Sequence, residues 1–538
     1  MRMTSPFTLA LQGVSYPLPS GEPLLSDLHE TFDERRTALV GRNGVGKSVL
    51  ARIMAGELAP SAGRCLASGP VHYLPQRIEP QAFRSVGELA GVQPLLDALS
   101  RVENGGVDPA DFERLDGHWD IRARLEAELA AAGLAHLTPD TPASRLSGGE
   151  CTRVALLGAW LSEVDWLILD EPSNHLDRAG REALREQVQR WRGGLILISH
   201  DRLLLDDMQR IVELSSEGLR SYSGGYAVYR EMRQQEQASA ERELQRRKLE
   251  RDRQQHAMQE QRERQAHRQA KGRKDAKEAN QAKILVDRQK ERSQTSIARL
   301  ATQHEERRER LAREVREAYS QLPDDAPVVL NAPDCALPES RGVLRLEGLR
   351  LPFGNTAALD WQLSGPRRVA ITGGNGSGKS TLLKVIAGVL GPAAGTCDAM
   401  VRCAYLDQHL AALLPERSVL ELLRERNPVA DLSVLRTRLA QLGLPAARVE
   451  LPSALLSGGE RVKAALACEL YAEHPAQLLL LDEPDNHLDL PSREALDNLL
   501  RQYRGALLVV SHDAAFLDRL ALEARLECTA DGWRWSAG

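Results

Sequence analysis

Gly41-Arg-Asn-Gly-Val-Gly-Lys-Ser48, directly after the apolar run 37–40, recurs 332 residues later as Gly373-Gly-Asn-Gly-Ser-Gly-Lys-Ser380 after the run 369–372. A glycine-rich turn between strand and helix lets backbone N–H groups point at one centre, and the helix start adds its positive end. Each stretch therefore reads as a phosphate-binding loop. Lys47 and Lys379 would neutralise the β and γ phosphates of a nucleotide, and the Ser48 and Ser380 hydroxyls would ligate Mg²⁺. Two more segments repeat in the same order: Leu146-Ser-Gly-Gly-Glu150 with Leu456-Ser-Gly-Gly-Glu460, and Leu167-Ile-Leu-Asp-Glu-Pro172 with Leu479-Leu-Leu-Asp-Glu-Pro484. From each Asp-Glu-Pro glutamate to a later Ser-His histidine the count is 29, Glu171 to His200 and Glu483 to His512. The chain is a tandem duplication, with copies over 1–230 and 340–538.

Short apolar runs at 37–40, 167–170, 195–199 and 369–372 suit buried parallel strands, and amphipathic stretches such as 178–192 alternate with them. This pattern predicts an α/β fold in each copy. Asp170 and Asp482 end such runs, where a carboxylate emerges at the sheet edge and can hold the Mg²⁺ shell. Glu171 and Glu483 follow at once and are suited to take a proton from attacking water as general bases. His200 and His512, each after a strand and a serine, are expected to touch the γ-phosphate and orient that water. Between the glutamine after the early strands and Leu-Ser-Gly-Gly-Glu the copies differ, 70 residues against 48, which predicts a small surface insertion in the first, around Asn104-Gly-Gly106.

The chain's 538 residues exceed what one core holds, and no apolar run approaches the roughly 20 residues of a membrane-spanning helix. The N-terminal stretch lacks an export-signal pattern, so a cytoplasmic location is expected. Seven scattered cysteines without a C-x-x-C spacing argue against a disulfide framework or structural zinc and read as buried thiols. Net charge is −5, yet residues 231–320 carry 24 Lys/Arg against 17 Asp/Glu, leaving −12 for the remainder. Such asymmetry points the middle segment at a polyanion.

Residues 231–322 contain no proline, one aromatic (Tyr319) and one glycine (Gly272). This composition cannot bury a core of its own, so it predicts two long helices, or disorder. A turn is expected at Gly272, with Leu244, Leu249, Met258, Ile284, Ile297, Leu300, Leu311 and Val315 zipping the arms of an antiparallel hairpin. Residues 323–339 form a proline-rich connector. Eleven basic residues against five acidic ones between 262 and 292 would meet phosphates without reading sequence, and the lack of aromatics favours structured RNA over stacked single strands. A merely solvated charged coiled coil is the plainer alternative.

These motifs resemble those of tandem ATP-binding-cassette proteins of the ABC-F type. Leu-Ser-Gly-Gly-Glu is similar to the cassette signature, and Asp-Glu-Pro-Ser-Asn-His-Leu-Asp (170–177) and Asp-Glu-Pro-Asp-Asn-His-Leu-Asp (482–489) to the subgroup's extended form. The resemblance implies two P-loop cassettes joined by a long charged α-helical hairpin linker, with ATP and Mg²⁺ as cofactors and hydrolysis to ADP and phosphate. It implies head-to-tail closure within a monomer, so that Ser147, Gly148 and Gly149 cover the ATP of the second loop, and Ser457, Gly458 and Gly459 that of the first. Phosphate contacts would come from Gly41, Asn43, Gly44, Gly46, Lys47 and Ser48, and from Gly373, Asn375, Gly376, Gly378, Lys379, Ser380 and Thr381. Gln76 and Gln408 match the glutamines expected near Mg²⁺ and water, and Tyr16 and Phe353 the adenine-stacking aromatics. Val49 stands where threonine is frequent, and the first-cassette arm of many relatives is at most 22 residues here. The resemblance further implies a ribosome partner, with ribosomal RNA and peptidyl-site tRNA met by the linker near the tRNA exit site. Translation would be modulated in that way, and antibiotic resistance by ribosome protection falls within this range. Rival readings are a transporter's ATPase subunit, although no membrane domain is present, and a DNA-repair or chromosome cassette.

Overall fold

The apolar runs flanking the glycine-rich loops become the central strands of two similar sheets. In the first copy the strands are β1 (Leu9–Pro17), β2 (Pro23–Phe32), β3 (Thr37–Val40), β4 (Ala62–Ala67), β5 (Val71–Leu74), β6 (Trp166–Asp170), β7 (Gly194–Ile198), β8 (Arg210–Ser215) and β9 (Gly218–Ser223). The second copy has β10 (Gly342–Arg350), β11 (Leu359–Ser364), β12 (Arg368–Gly373), β13 (Ala394–Ala399), β14 (Cys403–Leu406), β15 (Leu478–Asp482), β16 (Ala506–Val510), β17 (Ala524–Thr529) and β18 (Gly532–Ala537). The computed structural model describes residues 7–162, 164–174, 176–278, 307–308, 310–311, 313–314, 335–407, 410–486, 488–529 and 531–537. The chain divides into two units, one formed by 1–229 with 327–538 and the other by 230–326.

Each copy pairs a six-stranded sheet, β5-β6-β7-β3-β8-β9 or β14-β15-β16-β12-β17-β18, with a three-stranded antiparallel one, β2-β1-β4 or β11-β10-β13. The large sheets are parallel except at their last strand. Residues of β6 are fully buried and alternate between two cores. Ile168 joins Leu9, Leu50 and Ile198 between the sheets, while Leu167 and Leu169 join Leu195 and Leu197 beneath the helices. That two-sided burial explains why these strands read as continuous apolar runs, not alternating ones.

Register then positions the chemistry. Leu39 of β3 and Asp170 of β6 both lie opposite Ile198 of β7, and Ile371 and Asp482 both lie opposite Val510 of β16. Parallel strands in this register deliver the glycine-rich loop, the aspartate–glutamate pair and the serine–histidine pair to one edge of each sheet, the carboxyl edge where α/β folds bind ligands. The extra residues of the first copy include helices Gln93–Glu103 and Pro109–Arg114, with Asn104 at the end of the first of them. The Arg101 guanidinium pairs with Asp111 at 2.6 Å, clasping one helix to the other.

In the unit 230–326 the sequence expectation needs correction at two points. Helix Tyr226–Glu278 runs through Gly272 without a break, so the turn predicted there does not occur. A helical glycine costs only about 1 kcal/mol relative to alanine, which a long helix-favouring tract absorbs. Leu249 is 53% exposed and does not contribute to the zipper, whereas Leu244 and Leu311 are buried. Arg247 pairs with Glu314 at 3.0 Å and Arg307 donates to Gln254 at 2.6 Å. One partner advances along the chain as the other retreats, an antiparallel register whose centre falls beyond Gly272. Ile284, Ile297, Leu300 and Val315 lie outside the described residues.

Candidate functional site: two nucleotide cradles

The first cradle begins where β3 ends. Gly41, Gly44 and Gly46 take φ values of 152°, 82° and 105°, and a Cβ on Gly41 would collide with the Leu214 carbonyl. Gly373, Gly376 and Gly378 repeat this at 145°, 73° and 104°. Side chains other than glycine pay for that backbone, so the spacing of the motif is a conformational demand. Helices Lys47–Met54 and Lys379–Ile386 start immediately after the loops, with no side-chain cap on their first N–H groups. Such an uncapped start is a ready anion site.

Lys47 Nζ donates to the carbonyls of Gly41 and Arg42 at 2.7 and 3.1 Å, and Lys379 Nζ to those of Gly373 and Gly374 at 2.9 and 2.8 Å. Each ammonium thus lies folded over its own loop. Burial pushes both lysines below the ordinary range, against the pull of the carboxylates Glu171 and Asp489 on Lys47 and of Glu483 on Lys379. Ser380 Oγ donates to Asp482 Oδ1 at 2.9 Å and Tyr405 to Oδ2 at 3.0 Å. The first copy repeats the pattern, with Tyr73 donating to Asp170 Oδ2 at 3.1 Å and Ser48 hydrogen-bonded to the same carboxylate. A serine hydroxyl and a carboxylate already in contact are hard oxygen donors of the kind that Mg²⁺ takes alongside water and phosphate, so these residues fit the ion.

Glu171 and Glu483 both sit at φ 50°, an uncommon conformation for a non-glycine residue. Their N–H groups donate to Ile198 and Val510 at 2.8 and 2.9 Å, which holds the turned backbone at the strand end. Glu171 Oε1 lies 3.4 Å from His200 Nε2, and Glu483 Oε1 3.5 Å from His512 Nε2. Burial, reinforced by Asp170, raises Glu171 to about 7; burial and Asp482 raise Glu483 as well. Burial and the nearby lysines hold His200 well below its usual value and bring His512 down to about 4. Both imidazoles are therefore neutral at physiological pH.

The signature serines cap helices Gly148–Leu161 and Gly458–Leu470 through reciprocal bonds with Glu150 and Glu460. Gly148, Gly149, Gly458 and Gly459 form the first turns, with uncommitted N–H groups pointing out of the helix start. Ser147 and Ser457 bond to Glu150 and Glu460 of their own helices. Gln76 is exposed just past β5, and Gln408 lies outside the described residues. Tyr16 is half-buried in β1, while Phe353 is 67% exposed with its carbonyl against Gly378 of the second loop. Asn43, Asn375 and Thr381 lie on the loops or the helix start, as their motif positions require.

The sequence reading missed the residues that each copy lends the other. Asp489, at the start of helix Leu490–Gln502, accepts from the Asn43 N–H of the first loop at 2.9 Å while capping its own helix through Ser492. Asp177, its counterpart, lines a cavity of about 520 Å³ together with Glu182, Gly373, Gly374 and His512. Arg202 pairs with Asp497 at 3.2 Å, and Arg493 donates to the His200 carbonyl at 3.0 Å. Asp177 and Asp489 recur at one offset from Asp170 and Asp482, so the duplication itself could have marked them. Tyr73 and Tyr405 recur in their turn at one offset from Gly41 and Gly373, the first glycines of the two loops.

A family model described as "ABC transporter" matches residues 27–174 and 357–486, together just over half of the chain. The tylosin resistance ATP-binding protein TlrC of Streptomyces fradiae is 32% identical over 550 residues, covering 93% of this chain and 96% of that protein. The putative ATP-binding protein YdiF of Bacillus subtilis is 30% identical over 521 residues, with 91% and 75% covered. The ribosome protection protein VmlR of Bacillus subtilis is 29% identical over 487 residues, with 89% and 79% covered. Among solved structures, an archaeal ribosome recycling factor in complex with a ribosomal stalk protein superposes with a TM-score of 0.59 at 19% identity over 96% of this chain and 87% of that one, a likeness of fold. Among the described residues, no helix is long and apolar enough to cross a membrane. Paired cradles with the same glutamate–histidine geometry, matched over nearly the full length by tandem ATP-binding proteins, place the chain in the ABC-F family of tandem-cassette ATPases.

Proposed function

We propose that this chain is a ribosome-associated ATPase whose two cassettes, 1–230 and 340–538, close on ATP and whose linker, 231–322, meets RNA. The observation that carries the ATPase reading is the repeated placement of a buried glutamate on turned backbone beside a neutral histidine. In each site the glutamate takes a proton from the attacking water while the water oxygen bonds to the γ-phosphorus and the bond to ADP breaks. His200 or His512, being neutral, donates a hydrogen bond to the γ-phosphate and helps orient the water. Lys47 and Lys379 leave their loop carbonyls for the β and γ phosphates. Ser48 and Asp170, or Ser380 and Asp482, would hold Mg²⁺, with Gln76 and, by its motif position, Gln408 as further ligands, and the ion would neutralise phosphate charge. Tyr16 and Phe353 stack the adenine.

Ser147 with its glycines covers the second site and Ser457 the first; the reach of Asp489 to the first loop supports such head-to-tail pairing within one monomer. Relatives named for ribosome protection and tylosin resistance support the ribosome as partner, and with it a cytoplasmic location. The linker's basic middle then meets ribosomal RNA and peptidyl-site tRNA near the tRNA exit site and modulates translation, with antibiotic resistance one form of that activity. The test is sedimentation of the Glu171→Gln/Glu483→Gln protein with ribosomes and ATP. Cosedimentation that weakens when Lys271, Arg273, Lys274 and Lys277 are changed to glutamate supports the reading, since lost phosphate contacts lower affinity. Absence of ATP-dependent cosedimentation rejects it.

A further inference from the structure

Two arginines occupy the same place in the two copies, four residues after Asp177 and Asp489. Each is anchored to the start of its own helix: Arg181 Nε donates to Leu176 O at 3.3 Å and Arg493 Nε to Leu488 O at 3.2 Å. Their outer ends differ. Arg181 Nη1 reaches Asp201 Oδ2 of its own copy at 3.1 Å. Arg493 Nη1 reaches Asp513 Oδ2 of its own copy at 2.8 Å and also the carbonyl of His200, across the cassette boundary, at 3.0 Å. Asp201 and Asp513 directly follow His200 and His512, and each caps the next short helix, accepting from Leu203 and Phe516 at 3.0 Å. Arg493, His200 and Asp513 are all buried, at 6, 4 and 3% exposure.

We propose that Arg493 is a positioning residue shared by both ATP sites: its guanidinium holds the His200 backbone in one and, through Asp513, the segment bearing His512 in the other. The proposal rests on the roles assigned above to the two glutamates and two histidines, and goes beyond them by joining the sites through one side chain. A planar guanidinium offers donors in a fixed fork and can hold a carbonyl and a carboxylate together. An ammonium at the same position keeps the charge but not the fork. Displacing a histidine that orients water by a fraction of an ångström slows chemistry while nucleotide binding, made elsewhere by the glycine-rich loop, persists.

The experiment places Arg493→Lys in two single-site proteins, Glu483→Gln (first site active) and Glu171→Gln (second site active), and measures steady-state hydrolysis and thermal melting. We expect kcat to fall about tenfold in both, with KM for ATP within about twofold. A kcat unchanged in either protein, or a loss expressed in KM alone, overturns the shared role. Should Arg493→Lys fail to fold, Asp513→Asn, which keeps the cap on Phe516 but removes the charged acceptor, is measured in the Glu171→Gln protein. An unchanged kcat there also overturns the proposal. Turnover surviving in the Glu171→Gln/Glu483→Gln protein would break the assignment of the bases, a different failure that this control reads separately.

Discussion

Glu171 and Glu483 leave identical strand ends at the same φ of 50°, beside a histidine at nearly the same distance, yet they sit in different surroundings. The side chains of Glu171 and His200 are 10 and 5% exposed, those of Glu483 and His512 17 and 11%. The first site has Arg493 of the other copy clamped on its histidine backbone, and Asp489 on its loop. In the second copy Asp485 replaces Ser173 and is buried at 1% exposure, hydrogen-bonded to Ser511 and close to Arg493 and Arg181. Local motif geometry is set by the duplicated sequence, whereas the burial and the neighbouring charges that tune each acid differ between the copies. Two sites with one chemistry can thereby acquire different acidity.

The comparison is broken most severely by removing both bases. Glu171→Gln with Glu483→Gln should lower steady-state ATP turnover at least a hundredfold with ATP affinity kept, because an amide has the carboxylate's shape but cannot take a proton. Phosphate release measured under saturating ATP checks this, and turnover near that of the parent would remove the glutamates from the role of base.

Next in size is a test of which site each signature serves. Lys47→Ala damages the first site, and under head-to-tail pairing so does Ser457→Arg, so that double variant should be no worse than its more damaged parent. Lys47→Ala with Ser147→Arg should instead silence both sites. Equal residual turnover of the two double variants would contradict head-to-tail pairing, and the reverse ranking would show that the signatures act within their own copies.

The unequal burial predicts unequal pH dependence. With only the first site active, kcat/KM should rise with pH through about 7, because Glu171 must be ionised to accept a proton and burial with Asp170 lifts its pKa to that value. With only the second active, the rise should come at lower pH, since Glu483 is raised but less completely desolvated. Superimposable profiles would show that the surroundings do not distinguish the sites.

The smallest expected effect is on stability. Asp485→Ser restores the residue of the first copy and removes a carboxylate that burial holds in its raised-pKa range, partly offset by Arg493 and Arg181. Each arginine keeps its own aspartate, so we expect a gain of about 1 kcal/mol and a slightly higher melting temperature. A lower melting temperature would mean that Asp485 is needed to balance the two guanidinium charges.

Much of this was legible in the linear chain. The runs before the glycine-rich loops became β3 and β12, the Asp-Glu-Pro runs became β6 and β15, and the 29-residue spacing brought each histidine to its glutamate. Such features are local: a strand buried on both faces must be apolar throughout, and a turn with left-handed backbone must use glycine. Other features depend on distant parts of the chain. Gly272 reads as a turn by residue type, but helix Tyr226–Glu278 passes through it because pairing along two arms, not one residue's propensity, sets where a hairpin bends. The bridge from Arg493 to the His200 carbonyl joins residues 293 apart and bonds to a backbone oxygen, a group every residue carries and no side-chain pattern marks. The sequence by itself determined the fold of each cassette and which acids and histidine stand at each strand end. Only the tertiary structure decided which copy's arginine reaches which histidine and how dry each glutamate becomes, because desolvation and charge pairing depend on what surrounds a group in space.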